Sequence, residues 1–319
     1  MSNVAKKIIM GAAGGGGASY SGTTLSFSPA FGGASSINLA SAPVNIGAAG
    51  VYTVSMVSGD MQVVIKMWGG GGASGWWYNQ PGLPNYYSGA GGGGGAAVGT
   101  LIFRYGTNYI LRIGEGGALM TSGGPTSGAT HLAGGVGTSY GSEAGGYSGI
   151  FKTSGVHGNA LLMAGGGGGG GSSSYDSSGG SGNPGAGAGG GTNGQNSAAA
   201  GGQGGYGGTQ SAGGAASPYN SATAGSALTG GIAQSAVAVG SMGGGGGGYY
   251  GGGGGNVGGG GGGSGYYDSS ESDLTSVTLY TGNGKDPGNS SDSDRGGSGD
   301  GKYNWGSGDD GRILLTRVP

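Results

Sequence analysis

The chain has 319 residues, of which 96 are glycine, 34% are hydrophobic and only 8% are charged, with 11 basic and 13 acidic residues leaving a formal net charge of −2. The absence of cysteine excludes disulfides, thiolate metal sites and a cysteine nucleophile, and fits assembly in a reducing cytoplasm. Scattered basic residues in a slightly acidic chain oppose phosphate attraction, so no nucleic acid is expected as a partner. No apolar run approaches the ~20 residues of a spanning helix, so no membrane insertion is expected.

Glycine loses more backbone entropy on folding than any other residue and brings no side chain to bury. Here it is massed in blocks, chiefly 69–72, 91–95, 165–171, 243–248, 251–255 and 258–263. A Gly/Ser-rich chain without a period defaults to disorder. Short β-branched and aromatic segments between the blocks, together with sparse charge, argue for a folded chain instead. Collagen is excluded because glycine does not recur at every third position and prolines number only 9.

In chain order, residues 1–48 form a distinct opening. Lys6 and Lys7 precede an apolar run, Ile8–Met10, that is far too short for an export signal. Leu25-Ser-Phe27 and Ile37-Asn-Leu39 alternate as strands do. This segment is a candidate for attachment to a larger particle, the alternative being a flexible terminus. Val51–Val57 and Met61–Trp68 read as a hairpin turning at Ser58-Gly59-Asp60. Thr100–Tyr105 and Tyr109–Ile113 read as a second hairpin, turning at Gly106-Thr-Asn108. Ile150–Lys152 and Leu161–Ala164 are further strands, followed by a long Gly/Ser/Ala/Asn tract to about Gly263. Gly265–Pro319 holds nine of the 13 acidic residues, the strand Leu274–Tyr280 and a closing strand, Arg312–Val318. No stretch keeps a helical period, so essentially no α-helix is expected.

A glycine block in a folded chain can form an extended helix of three residues per turn, rising about 3.1 Å per residue with no internal hydrogen bonds. Its backbone groups, once buried, need partners, and only glycine lets neighbouring rods approach closely enough on all sides to supply them. The expected fold is mainly β: a β-sandwich with a polyglycine II helix bundle, residues 49–319 making one domain.

Lys66-Met-Trp-Gly-Gly-Gly-Gly72, Gly91–Gly95 before Ala-Ala-Val-Gly-Thr-Leu, Tyr109-Ile-Leu-Arg-Ile-Gly-Glu-Gly-Gly117 and Gly158-Asn-Ala-Leu-Leu-Met-Ala-Gly-Gly-Gly167 follow one another along the chain. With Gly243–Tyr250, Gly258–Tyr267 and Asp310-Gly-Arg-Ile-Leu-Leu, this order resembles the glycine-rich domain of phage virion and tail-fibre proteins over about residues 50–319. It is similar, more distantly, to the glycine-rich domain of the anaplastic lymphoma kinase and leukocyte tyrosine kinase receptors. That domain is extracellular and bears cysteine, which this chain lacks. The tip adhesins of some T-even-type phages share the polyglycine II principle, with variable loops at one end contacting the host.

The resemblance implies a non-enzymatic virion structural protein assembled in the host cytoplasm: a phage tail-fibre, appendage or decoration protein. Its partners would be other virion proteins, through the N-terminal segment, and a host surface protein or glycan, with further copies of itself as another candidate. The alternative is a cellular extracellular glycine-rich binding module or a matrix filament protein.

The sharpest candidate site is Trp76-Trp-Tyr-Asn-Gln-Pro-Gly-Leu-Pro-Asn-Tyr-Tyr87. Its rigid rings, Trp76, Trp77, Tyr78, Tyr86 and Tyr87, sit beside adaptable Asn and Gln and suit recognition of a sugar or protein surface. The alternative is structural cover for the glycine bundle. Tyr249, Tyr250, Tyr266 and Tyr267 either extend such a surface or cap glycine rods, their hydroxyls reaching water. Asp292-Ser-Asp-Arg-Gly-Gly-Ser-Gly-Asp300 lacks the third early ligand and the distant Glu of a calcium loop, so it reads as a solvated acidic turn. His131 and His157 have no nearby carboxylate or nucleophile, and no Gly block ends in Gly-Lys-Ser/Thr. No catalytic residue, metal or cofactor is expected.

Overall fold

A computed structural model describes residues 20–75, 89–119, 134–135, 141–171, 185–198, 203–218, 221–233, 242–256 and 258–319. Among these, twelve strands form two antiparallel sheets: β1 (Thr24–Phe31), β2 (Ala34–Asn38), β3 (Val44–Ile46), β4 (Gly50–Met56), β5 (Met61–Trp68), β6 (Ala96–Phe103), β7 (Asn108–Ile113), β8 (Ser148–Lys152), β9 (Ala160–Ala164), β10 (Tyr266–Tyr267), β11 (Leu274–Tyr280) and β12 (Arg312–Arg317). One sheet runs β10-β9-β8-β7-β4-β1-β2 and the other β11-β6-β5-β12-β3. The only helical turns among the described residues are two three-residue 3-10 turns, His157–Asn159 and Ser293–Arg295.

Period-two burial sets the faces. On β5, Met61, Val63, Ile65 and Met67 are buried while Gln62, Val64 and Lys66 are half-buried on the other face. On β7, Tyr109, Leu111 and Ile113 point inward; on β4, Tyr52, Val54 and Met56 do. These side chains meet as one core, each contributing about 1.5–3 kcal/mol by leaving water.

Neither expected hairpin forms. The turns are where the residues place them, with Gly59 and Gly106 both at positive φ. Each turn, however, carries the chain from one sheet to the other. β4 pairs with β1 and β7, whereas β5 pairs with β6 and β12; β6 and β7 likewise lie in opposite sheets. Both strands of each pair are apolar on one face, so sending them to facing sheets buries both faces in one core. A lone two-stranded ribbon would not. Within residues 1–48, β1 pairs with β4 and β3 with β12, so residues 24–46 contribute to both sheets.

Above the sandwich the glycine rows pack side by side. β5 runs into 69–75, β9 into 165–171, and row 89–95 runs down into β6. Hydrogen bonding along each row repeats every three residues. Gly166 and Gly169 donate to Gly247 and Gly244, Gly167 and Gly170 to Gly70 and Ala73, and Gly168 to Gly187. In return Gly95 and Gly92 donate to Gly165 and Gly168, Gly263 and Gly260 to Gly166 and Gly169, and Gly145 to Gly167. Row 165–171 is thus bonded to six neighbouring rows. A Cβ added at Gly72, Gly167 or Gly262 would overlap the backbone of Gly168, Gly92 or Ala188, so a larger residue would push rows apart.

The rows give the molecule two unlike ends. At the sandwich end the described termini meet: the Arg317 Nη2 donates to the Tyr20 carbonyl at 3.2 Å, and the Val318 amide to Gln62 at 2.9 Å. At the other end the flanks of the undescribed internal segments bond to one another. Gly75 donates to Gly89, Gly89 to Gly171, Ala198 to Gly185, Ser197 to Gly205, Asn256 to Gln203, Gly243 to Gly258, and Ser142 to Met242.

Candidate functional site

The sequence marks two groups of aromatic residues. Trp76, Trp77, Tyr78, Tyr86 and Tyr87 lie outside the described residues; their roots, Gly75 and Gly89, are paired at the end of the rows away from the sheets. The tyrosines of the second group lie where the rows meet the outer face of the seven-stranded sheet. Tyr249 follows row 243–248, and Tyr266 follows row 258–263 by two residues and pairs with Met163 of β9.

There the rings stack on one another. Tyr249 and Tyr266 lie nearly parallel, centroids 3.7 Å apart at 7°, and His157 stacks on Tyr249 at 3.9 Å and 23°. Tyr250 meets both His157 and Tyr249 edge-on. The rings rest on a small second core of Tyr147, Phe151, Ala160 and Met163, joined by Ile110 and Leu228. Ile110, Phe151, Ala160 and Met163 are outward-facing residues of β7–β9, and Tyr147 immediately precedes β8, so both faces of the sheet are covered at this corner. Tyr249 therefore spends its stacking surface inside the protein. Tyr267, on the opposite face of its strand, is 41% exposed.

Burial governs the electrostatics of this corner. It pushes the Tyr266 hydroxyl up to about 12, helped by the neighbouring Tyr249. It also lowers the His157 pKa below the usual imidazole value, partly offset by a hydrogen bond with the Tyr249 backbone. The His157 Nε2 is buried and has no hydrogen-bond partner among the described residues. Beside the corner, Arg112 lies over Phe151 at 5.3 Å and Tyr147 at 5.9 Å, and its guanidinium bonds the Tyr147 hydroxyl at 2.5 Å. The buried Tyr147 hydroxyl has its pKa raised by desolvation against that cation.

The acidic residues are tied to structure. Lys66, on the outer face of β5, bridges Asp292 at 2.8 Å and Asp294 at 2.7 Å. Asp292 also caps the 3-10 turn by accepting from the Asp294 amide. Arg104 holds Asp273 and Asp60, and Lys152 holds Glu271. Among the described residues no group of three or more His, Asp or Glu side chains could hold a metal ion, and no helix is long and apolar enough to cross a membrane.

The sequence did not mark His157 as the third ring of the stack, since nothing local links it to Tyr249. Nor did it mark the short side chains that seal outer row edges. The Asn196 Oδ1 accepts from Gly207, the Thr223 Oγ1 from Ile232, and the Thr281 Oγ1 from Gly191. A Ser, Thr or Asn every few residues in a glycine tract is the signal that could have found them.

In comparison with known proteins, no family model matches the chain, and no curated protein shows significant similarity to it.

Proposed function

We propose that this protein is a non-enzymatic structural protein of a virus particle, a phage tail-fibre, appendage or decoration protein that contacts the host surface. We further propose that its glycine rows are polyglycine II helices, the reading supported by hydrogen-bond partners that recur every three residues. The observation that carries the functional reading is the polarity of the molecule. The described termini converge at the sandwich end, and the segments that interrupt the rows, the aromatic 76–88 among them, are rooted together at the other.

An attachment protein needs that division. One end joins the particle, through residues 1–48 and other virion proteins; the other presents segments whose sequence can change without disturbing the support. The rows are held chiefly backbone to backbone, so the segments are free to be selected for binding a host protein or glycan. Mass spectrometry of purified particles tests the reading. The polypeptide is expected at stoichiometric abundance in the particle, and its absence from particles made by cells that express it would overturn the proposal.

A further inference from the structure

From Ile8 to Gly59 the chain carries no Lys, Arg, His, Asp or Glu. The described part of that run builds one flank of the sandwich. Across the core β9 faces β6 and β8 faces β5, which sets β10 beside β11 on one side and β2 and β3 on the other. Among the described residues no strand pairs with the outer edge of β2 or β3. Their outward residues are small and uncharged: Ala34, Ser36, Asn38 and Asn45 are all exposed.

The opposite flank is built differently. Asp268, Glu271 and Asp273 surround it, Glu271 and Asp273 held by Lys152 and Arg104. β11 breaks its register between Thr275 and Thr278, with Ser276 at φ 53°. Charge and a bulge are the usual devices that keep an edge from pairing with another chain. One flank has both; on the other the β1–β2 pairing also shifts register, between Ser26 and Phe31, but no charge accompanies it.

We propose that the charge-free flank packs against the same flank of a second copy of this chain, about an axis parallel to the strands, so that the unlike ends of the copies point the same way. A foreign partner is selected by complementary charge, and this flank offers none. A surface that meets its own copy gains from having none, because about a symmetry axis every charge near the axis faces its like. The small side chains of β2 let two copies approach closely.

Sedimentation of the full chain tests this. Self-association is expected, and Ser36→Lys with Asn45→Lys should weaken it roughly a hundredfold through like-charge repulsion, whereas Thr275→Lys on the other flank should leave it unchanged. Because the chain has no cysteine, Ser36→Cys gives a second, milder reading: oxidation should link two copies through position 36, and Thr275→Cys should not. A monomeric chain at high concentration overturns the proposal. So does association that survives Ser36→Lys with Asn45→Lys and is lost on Thr275→Lys. A monomer that begins to associate once residues 1–19 are removed overturns it too, because the chain's own N-terminal segment would then be the cover. None of these outcomes depends on whether the polypeptide is found in particles.

Discussion

The amide of Gly75 donates to the carbonyl of Gly89 at 2.8 Å, so the aromatic segment 76–88 leaves the rows and rejoins them at a closed, hydrogen-bonded root. The root belongs to a backbone register that continues inward, Gly72 to Gly92 and Gly69 to Gly95.

Stability and binding should therefore separate at Trp76 and Trp77. Aromatic anchors commonly dominate an interface, at about 2 kcal/mol or more each. Replacing both by alanine should abolish attachment to host cells while leaving the melting transition nearly unchanged. Unfolding or aggregation of the double variant would make the rings cover for the bundle. A stable variant that attaches normally would place the contact surface elsewhere.

The rows should tolerate side chains very unevenly. A Cβ at Gly168 would overlap the carbonyl of Gly260, which is itself held by neighbouring rows, whereas a Cβ at Gly158 meets nothing within 4 Å. Gly168→Ala should cost about 3 kcal/mol or more through overpacking, lowering the melting temperature by roughly 6–12 °C. Gly158→Ala should be close to neutral. Equal effects of the two substitutions in differential scanning calorimetry would mean that the rows are not closely packed.

Much of this architecture is legible in the sequence because two local rules operate in alternation. The apolar alternation of Met61–Trp68 marks a strand with one buried face, and the block that follows marks a row where no side chain fits. The strands β5 and β11 match the residues that the pattern marks. Pairing was not legible. The turns at Gly59 and Gly106 have hairpin chemistry, and only the need to bury Val54 with Ile65, and Leu101 with Leu111, in one core sends their strands to different sheets. The stack of His157 on Tyr249 was hidden for a similar reason: the two residues are joined by the folding of a loop over a sheet face, which leaves no periodic trace.

Trp68 offers a check on the junction between the two layers. Its ring is fully buried where β5 becomes a row, and its indole N–H donates to the Gly288 carbonyl at 3.1 Å. Trp68→Phe removes the donor, leaves that carbonyl without its indole partner and opens a small cavity, and should cost about 2–4 kcal/mol. Denaturant unfolding should show a lower midpoint with an unchanged slope. An unchanged midpoint would mean that the junction relaxes around the smaller ring.

The last prediction concerns pH. Burial lowers the pKa of His157 in the folded chain, where it stacks on Tyr249 with its Nε2 unpartnered among the described residues. In the unfolded chain an exposed imidazole takes up its proton near pH 6.5, about the ordinary value. As pH falls through that value the unfolded chain binds a proton that the folded chain does not yet accept, so stability should fall. The contribution is fully present above pH 7 and declines toward pH 5. Asp60 and Asp292 are held below the usual carboxylate range, Asp60 chiefly by the Tyr105 amide and Arg104, and Asp292 by Lys66 against the opposing effect of burial. Their own losses thus come at lower pH. His157→Phe keeps a ring on Tyr249 and removes the titration. Its melting temperature should change less between pH 7 and 5 than that of the native chain, and parallel curves for the two proteins would show that His157 is not the group responsible.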